Sequence, residues 1–304
     1  MNRNIKAHIA LLITNLIYGA NYTIAKEAMP EYILPSGFIL LRVSGALLLF
    51  VIFHRLMVKE SVDKIDMLRL ATCGLFGVAV NQLLFFKGLS ITNPINAAII
   101  MTINPVMVLL FASFLIREVI TLKRTLGIIL GIGGAVLLIT YNSTSSFSLE
   151  SSIGDLWIFL NAASYGIYLV IVKPLMNKYN PLTVIMWVFG FGLLYVLPFG
   201  FSELTQVRWT TLPMPIVLAM SFVVIFTTFA AYLLNIHALK VLSPTVVSYY
   251  IYLQPLLASI VALMFAKDVL SMEKIVAAAL IFAGVALVST GTNSKHNATI
   301  SGKS

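Results

Sequence analysis

The sequence predicts an all-α integral membrane protein of ten transmembrane helices, arranged as two inverted five-helix repeats. Three observations predict it. Only 10% of the 304 residues are charged while 60% are hydrophobic. Apolar runs of about 20 residues, the length that crosses a hydrocarbon core, recur ten times. The two halves of the chain repeat one another, and each half holds an odd number of runs.

Composition sets the class. A water-soluble surface needs roughly a quarter of the residues charged, and this chain has less than half of that, so lipid must cover much of it. The net charge of +9 does not imply nucleic acid, because Lys and Arg are scattered beside the apolar runs instead of forming a face. Cys73 is the single cysteine, which excludes an intrachain disulfide and a Cys-based zinc site.

The runs fall at about 7–25, 35–53, 69–87, 94–115, 124–141, 154–173, 182–200, 214–235, 244–265 and 274–291. Within lipid every backbone polar group must be satisfied internally, which leaves helices or a closed barrel. These runs do not alternate in polarity as barrel strands do, so they are helices. The first run exceeds the ~7–15 residues of a signal-peptide core and is expected to stay as a span. Fourteen of the 20 Lys and Arg lie on one set of connecting segments and five on the other, with Arg42 inside the second run. By the positive-inside rule this bias puts both termini in the cytoplasm.

The duplication is legible residue by residue. Segment 87–118 aligns with 237–268 at an offset of 150, so that Pro94 meets Pro244, Pro105 meets Pro255 and Glu118 meets Asp268. The same offset carries Gly134 onto Gly284; an offset of 147 carries Tyr18 and Gly19 onto Tyr165 and Gly166. An odd span count per half inserts the halves in opposite senses, giving an inverted repeat about an axis in the membrane plane. The expected units are a first repeat at 1–141, an extracytoplasmic Ser-rich linker at 142–153, a second repeat at 154–291 and a cytoplasmic tail at 292–304.

Polar residues inside the runs are costly and mark functional positions. In the first run Asn15, Tyr18 and Tyr22 share one helix face; in the sixth, Asn161, Tyr165 and Tyr168 do the same. Either face can line a substrate cavity or simply join helices by hydrogen bonds. Asn81 and Gln82 of the third run, and Tyr249, Tyr252 and Gln254 of the ninth, complete the expected cavity set, with Tyr250 expected to pack. Pro105 and Pro255 are expected inside their helices as a matched pair of kinks, either hinges at which gates flex or static bends. Arg42 has three open roles: an ion pair with Glu27 or Glu31, a contact to a substrate carboxylate, or snorkelling. The ion pair is the first expectation. Gly127, Gly131 and Ala135 form a small-residue face for close packing, within a monomer or at a homodimer seam.

These residues resemble the drug/metabolite transporter superfamily, specifically an EamA-type carrier with two tandem domains. The resemblance rests on Asn15-x-x-Tyr18-Gly19, on Arg42 in LLRVSGALLL, on the Pro94…Pro105 and Pro244…Pro255 helices, and on the Gly-rich fifth run; it spans residues 7–291. It implies a central cavity between the halves and a carrier of small metabolites, often working outward, in a bacterial inner membrane. All eleven acidic residues lie in loops or at helix ends, so nothing at mid-membrane would neutralise a strongly cationic substrate. Neutral or zwitterionic polar solutes, amino acids among them, fit best. No spacing of His, Ser or acidic residues points to an enzyme, a metal or a cofactor. A membrane sensor or scaffold is the remaining alternative, and the expected partners are a small-molecule substrate and the lipid bilayer.

Overall fold

A computed structural model describes residues 3–29, 31–91, 100–141, 152–254, 256–257 and 272–290. Among these residues there is no strand, and the helices follow the apolar runs in order. Helix α1 is Arg3–Ala28 and α2 is Pro35–Met57. Helix α3 runs Lys64–Gly74, Leu75–Val80 and Asn81–Ile91, its middle portion wound as a π-helix. Helices α4, α5, α6 and α7 are Asn104–Ile116, Leu122–Tyr141, Ser152–Lys178 and Pro181–Thr205. Helix α8 runs Met214–Phe222, a π portion Val223–Ala230, and Ala231–Val241. Helix α9 begins at Pro244–Tyr249 and tightens to a 3-10 turn at Tyr250–Tyr252; α10 is Met272–Thr290.

Local chemistry explains the ends. Proline opens α2, α7 and α9, where its missing N–H costs nothing. The Asn180 side chain caps α7 by accepting the Leu182 N–H at 2.9 Å, and Ser243 caps α9 by accepting Val246 N–H at 3.4 Å. The matching Asn93–Pro94 start lies outside the described residues. Helix α4 stops at Arg117, which turns left-handed (φ 54°) and lets Glu118 N–H reach the Ala112 carbonyl.

Among the described residues five helices, α2, α3, α6, α7 and α8, are long and apolar enough to cross a membrane by length and composition; α4 and part of α10 are shorter apolar helices. Large apolar side chains on the outer faces of the helices are bare, among them Leu48, Phe114, Ile129, Leu194 and Leu218. In water that surface would be prohibitive; in a bilayer it is the lipid contact.

The packing reveals the symmetry. Helices α5 and α10 hold equivalent places in the two halves and pack antiparallel, with Gly127 against Gly284 and Val288, and Gly134 against Ala277 and Ile281. Shifted by 150 residues, the second contact becomes the first, so the pair is related by a two-fold axis. Helices α2 and α7 also meet antiparallel: Gly37 approaches Glu203 and Leu204, while His54 bonds Thr183 at 3.1 Å. Equivalent helices that pack head to tail make the halves an inverted repeat. The halves also interlock. Helices α1 and α2 of the first pack on α8 of the second, and α6 and α7 of the second pack on α3 of the first.

One expectation needs correction. Pro105 is not within a continuous helix: Thr102 and Ile103 form a turn, Ile103 N–H bonds the Ile100 carbonyl, and Pro105 sits in the first turn of α4. The reason is steric, since proline crowds the carbonyl four residues before it. The second half tightens at the equivalent place, residues 250–252; Pro255 itself lies outside the described residues. The small-residue face of α5 serves contact within one chain, against α10, because that is where the glycines admit the neighbouring backbone.

Candidate functional site

The paired π portions organise the centre. A π turn leaves some backbone carbonyls without their usual helical partners, and such segments concentrate at functional sites. In α3 two carbonyls, Phe76 O inside the π portion and Asn81 O just past it, are taken by α6: Ser164 Oγ donates to the first and Asn161 Nδ2 to the second, both at 2.6 Å. In α8 the chain supplies its own partner, since Thr228 Oγ1 donates to Val223 O at 2.7 Å. That hydroxyl also accepts Arg42 Nε–H at 3.1 Å, so both of its roles are used.

Arg42 is 6% exposed, and its guanidinium lies 5.6 Å from the centre of the Phe86 ring. Among the described residues no carboxylate lies within ion-pairing distance of it, which corrects the expected pair with Glu27 or Glu31. Both glutamates are exposed, while Arg42 points inward along α2 toward α3 and α8. Tyr18 and Tyr232 stand within electrostatic reach of the guanidinium.

Tyr18 of α1 and Tyr232 of α8 lie nearest this side of Arg42, and Gln82 of α3, Tyr165 and Tyr168 of α6 and Asn235 of α8 join the group through Tyr232 and Tyr165. Gln82 Nε2 donates to the Tyr232 hydroxyl at 3.5 Å, and Asn235 Nδ2 donates to the Tyr165 hydroxyl at 3.0 Å. The Tyr165 and Tyr168 rings lie 6.3 Å apart, and Tyr232 meets Phe189 edge-on at 5.0 Å. Several buried polar atoms here find no protein partner: Gln82 Oε1, Asn161 Oδ1, Asn235 Oδ1 and the Tyr168 hydroxyl. Buried polar groups are ordinarily paired, so a cluster of unpaired ones marks a place for water or a ligand.

The other expected site residues separate from this centre. Asn15 donates to the Leu11 carbonyl at 2.7 Å and accepts from Gln254 Nε2 at 3.1 Å, joining α1 to α9. Tyr249 and Tyr252 pack edge-on at 4.8 Å; Tyr252 donates to Thr102 O at 2.9 Å, and Tyr249 lies along the Gly131–Gly284 seam. Tyr250, expected only to pack, shares a 2.7 Å hydrogen bond with His8. The Asn81 contribution shown is its backbone carbonyl, and the Tyr22 side chain lies outside the described residues. Sequence reasoning missed Thr228, Tyr232 and Asn235. A signal was present: they fall at i, i+4 and i+7 on one face of α8, and Tyr232 is the repeat partner of Gln82.

An all-α membrane fold of interlocked inverted repeats, with a polar and aromatic cluster buried between them, defines the class of polytopic solute carriers. The chain belongs to the EamA-like transporter family, whose model matches twice, at residues 5–140 and 152–290. Among curated relatives, the uncharacterized transporter YyaM of Bacillus subtilis is 24% identical, over 93% of each chain. An uncharacterized transporter of Archaeoglobus fulgidus is 26% identical, over 85% of this chain and 89% of that one. A solved crystal structure superposes with a TM-score of 0.78 at 17% identity, covering 93% of this chain and 96% of that one, which shows a shared fold. The protein is thus a membrane transporter of small solutes.

Proposed function

We propose that this chain carries neutral or zwitterionic polar metabolites, amino-acid-like in size and polarity, by alternating access between its two repeats, and that it works chiefly outward. The observation that supports the reading is the group of unpaired buried polar atoms, Gln82 Oε1, Asn161 Oδ1, Asn235 Oδ1 and the Tyr168 hydroxyl, at the junction of the halves. Tyrosine rings there offer apolar stacking surfaces with polar edges. The hinge reading of Pro105 and Pro255 draws support from the tightened turns that precede both, at 100–103 and 250–252. Symmetric hinges in oppositely inserted units suit a two-sided gate. Both termini belong in the cytoplasm on the distribution of Lys and Arg.

The test is a substrate screen in reconstituted liposomes, run in both directions and with or without a pH gradient. Saturable movement of at least one small polar metabolite, faster out of the cytoplasmic face, is the expected result. Flux of none of the solutes above protein-free vesicles would sink the reading.

A further inference from the structure

We propose that Arg42 is the carboxylate-binding residue of the central site, and that the amide oxygens of Gln82 and Asn235 receive the N–H-bearing end of the same ligand. The ligand class is then a zwitterion or an acid with a hydrogen-bond donor, and not a polar metabolite of any kind. The inference rests on the transport reading only in calling that ligand a substrate.

The argument begins with what Arg42 lacks. A guanidinium carries five N–H donors in a rigid fork. One, on Nε, is held by Thr228. Among the described residues no hydrogen-bond acceptor serves either Nη group, and no carboxylate is in range. The Phe86 ring shields one face of the group but neutralises nothing. A buried cation left this way is strongly unfavourable unless something completes it. Its free edge is the geometry that pairs with a carboxylate through two parallel hydrogen bonds.

The orientation of that edge is built in. Thr228 belongs to the π portion of α8, and its hydroxyl is pinned by the Val223 carbonyl. Anchoring Nε at this point fixes the plane of the guanidinium and leaves the Nη side for a ligand. Two further observations, independent of Arg42, supply the other end. Gln82 and Asn235 each donate one N–H, to Tyr232 and Tyr165 respectively, and their oxygens are buried without a donor. Tyr232 links the two sets, since it interacts with Arg42, accepts from Gln82 and neighbours Tyr165, the partner of Asn235. A ligand carrying both an anionic fork and an N–H group satisfies them together. The same field disfavours cations, which agrees with the absence of acidic residues from the interior of the apolar runs.

The test uses purified full-length protein with leucine, threonine and phenylalanine, each beside its carboxamide, which removes the carboxylate and keeps the amine. Ligand-dependent melting temperature and quenching of intrinsic fluorescence report binding. At least one amino acid should bind ten-fold or more tighter than its amide, and Arg42→Gln should erase that difference. Arg42→Lys, which keeps the charge without the planar fork, should retain part of it and serves as the folded comparison. Equal binding of acid and amide, binding of none of the three amino acids, or discrimination that survives in Arg42→Gln overturns the proposal. Liposome uptake of the same amino acids separates the two readings. Binding without uptake leaves the carboxylate site and removes the carrier, whereas uptake undiminished in Arg42→Gln leaves the carrier and removes the site.

Discussion

Gln82 and Tyr232 occupy equivalent positions in the two repeats, 150 residues apart, and face each other, with the Gln82 amide 3.5 Å from the Tyr232 hydroxyl. Tyr252 and the Thr102 carbonyl, also 150 apart, are joined at 2.9 Å. Partners that are their own symmetry mates can touch only where the axis passes between them. The pseudo-two-fold axis therefore threads the polar cluster, and a ligand there meets both repeats at once.

That geometry predicts which distances change during transport. If the repeats exchange conformations, the separation of equivalent positions is unaltered, while non-equivalent pairs trade values. Spin labels at Ile52 and Phe199, or at Ile129 and Ala279, lie on exposed faces at equivalent positions. Their distance distributions should stay fixed on adding substrate. Labels at Leu48 and Leu218 should shift toward the distance seen between Leu68 and Tyr195. Movement of the equivalent pairs as large as that of the others would argue against symmetric exchange.

Cysteine accessibility tests the cavity assignment. In a background lacking Cys73, single cysteines at 18 and 165 should react with a small water-soluble thiol reagent, and those at 13 and 158 should not. Ile13 faces outward on α1, and Ile158 is fully buried on α6. A bound substrate should slow the reactive pair. Reaction without protection would leave a water path and deny these positions the substrate.

The α5–α10 seam should not tolerate a methyl group. A β-carbon at Gly284 would stand 2.7 Å from the backbone oxygen of Gly127, and one at Gly134 would stand 2.8 Å from that of Ala277. Backbone cannot move aside as a side chain does, so Gly284→Ala and Gly134→Ala should each lose about 1–3 kcal/mol by overpacking. Gly133 and Gly190 have open space there, and their alanine variants should melt with or above the parent. A detergent melting series on the four variants checks the contrast.

A polar clasp between the α2–α3 connection and the α6–α7 turn should act on stability alone. Lys178 Nζ meets Asp63 at 2.5 Å and Asp66 at 2.6 Å, while the Tyr179 hydroxyl donates to Asp66 at 2.8 Å. Asp66 is buried, so Lys178→Met leaves its carboxylate short of a charged donor and should cost about 1–2 kcal/mol. Uptake per folded molecule should match the parent, and a loss of uptake without loss of melting temperature would contradict this assignment.

The ten apolar runs and the paired prolines are one-dimensional features, and they could be read as such. Span length follows from the thickness of hydrocarbon, and a duplication survives as a fixed offset even when side chains diverge. Tyr18, Tyr165 and Gln82 stand out in the sequence because polarity inside a run is conspicuous at any orientation. What the tertiary structure alone decided is who faces whom. The acids nearest Arg42 along the chain are Glu31 and Glu27, yet its side chain turns to Thr228, 186 residues away. The π portions of α3 and α8 carry no proline or charge to announce them; they arise where α6 or a Thr hydroxyl takes up a backbone carbonyl, an interaction between helices or turns. Tyr249 and Tyr252 look like cavity residues in a list of aromatic positions, but the glycines of α5 and α10 open a groove that takes Tyr249 elsewhere. Hydrophobicity and repeat spacing are properties of the chain, whereas the partner of a buried polar atom is a property of the packed helices, because close packing sets which faces can meet.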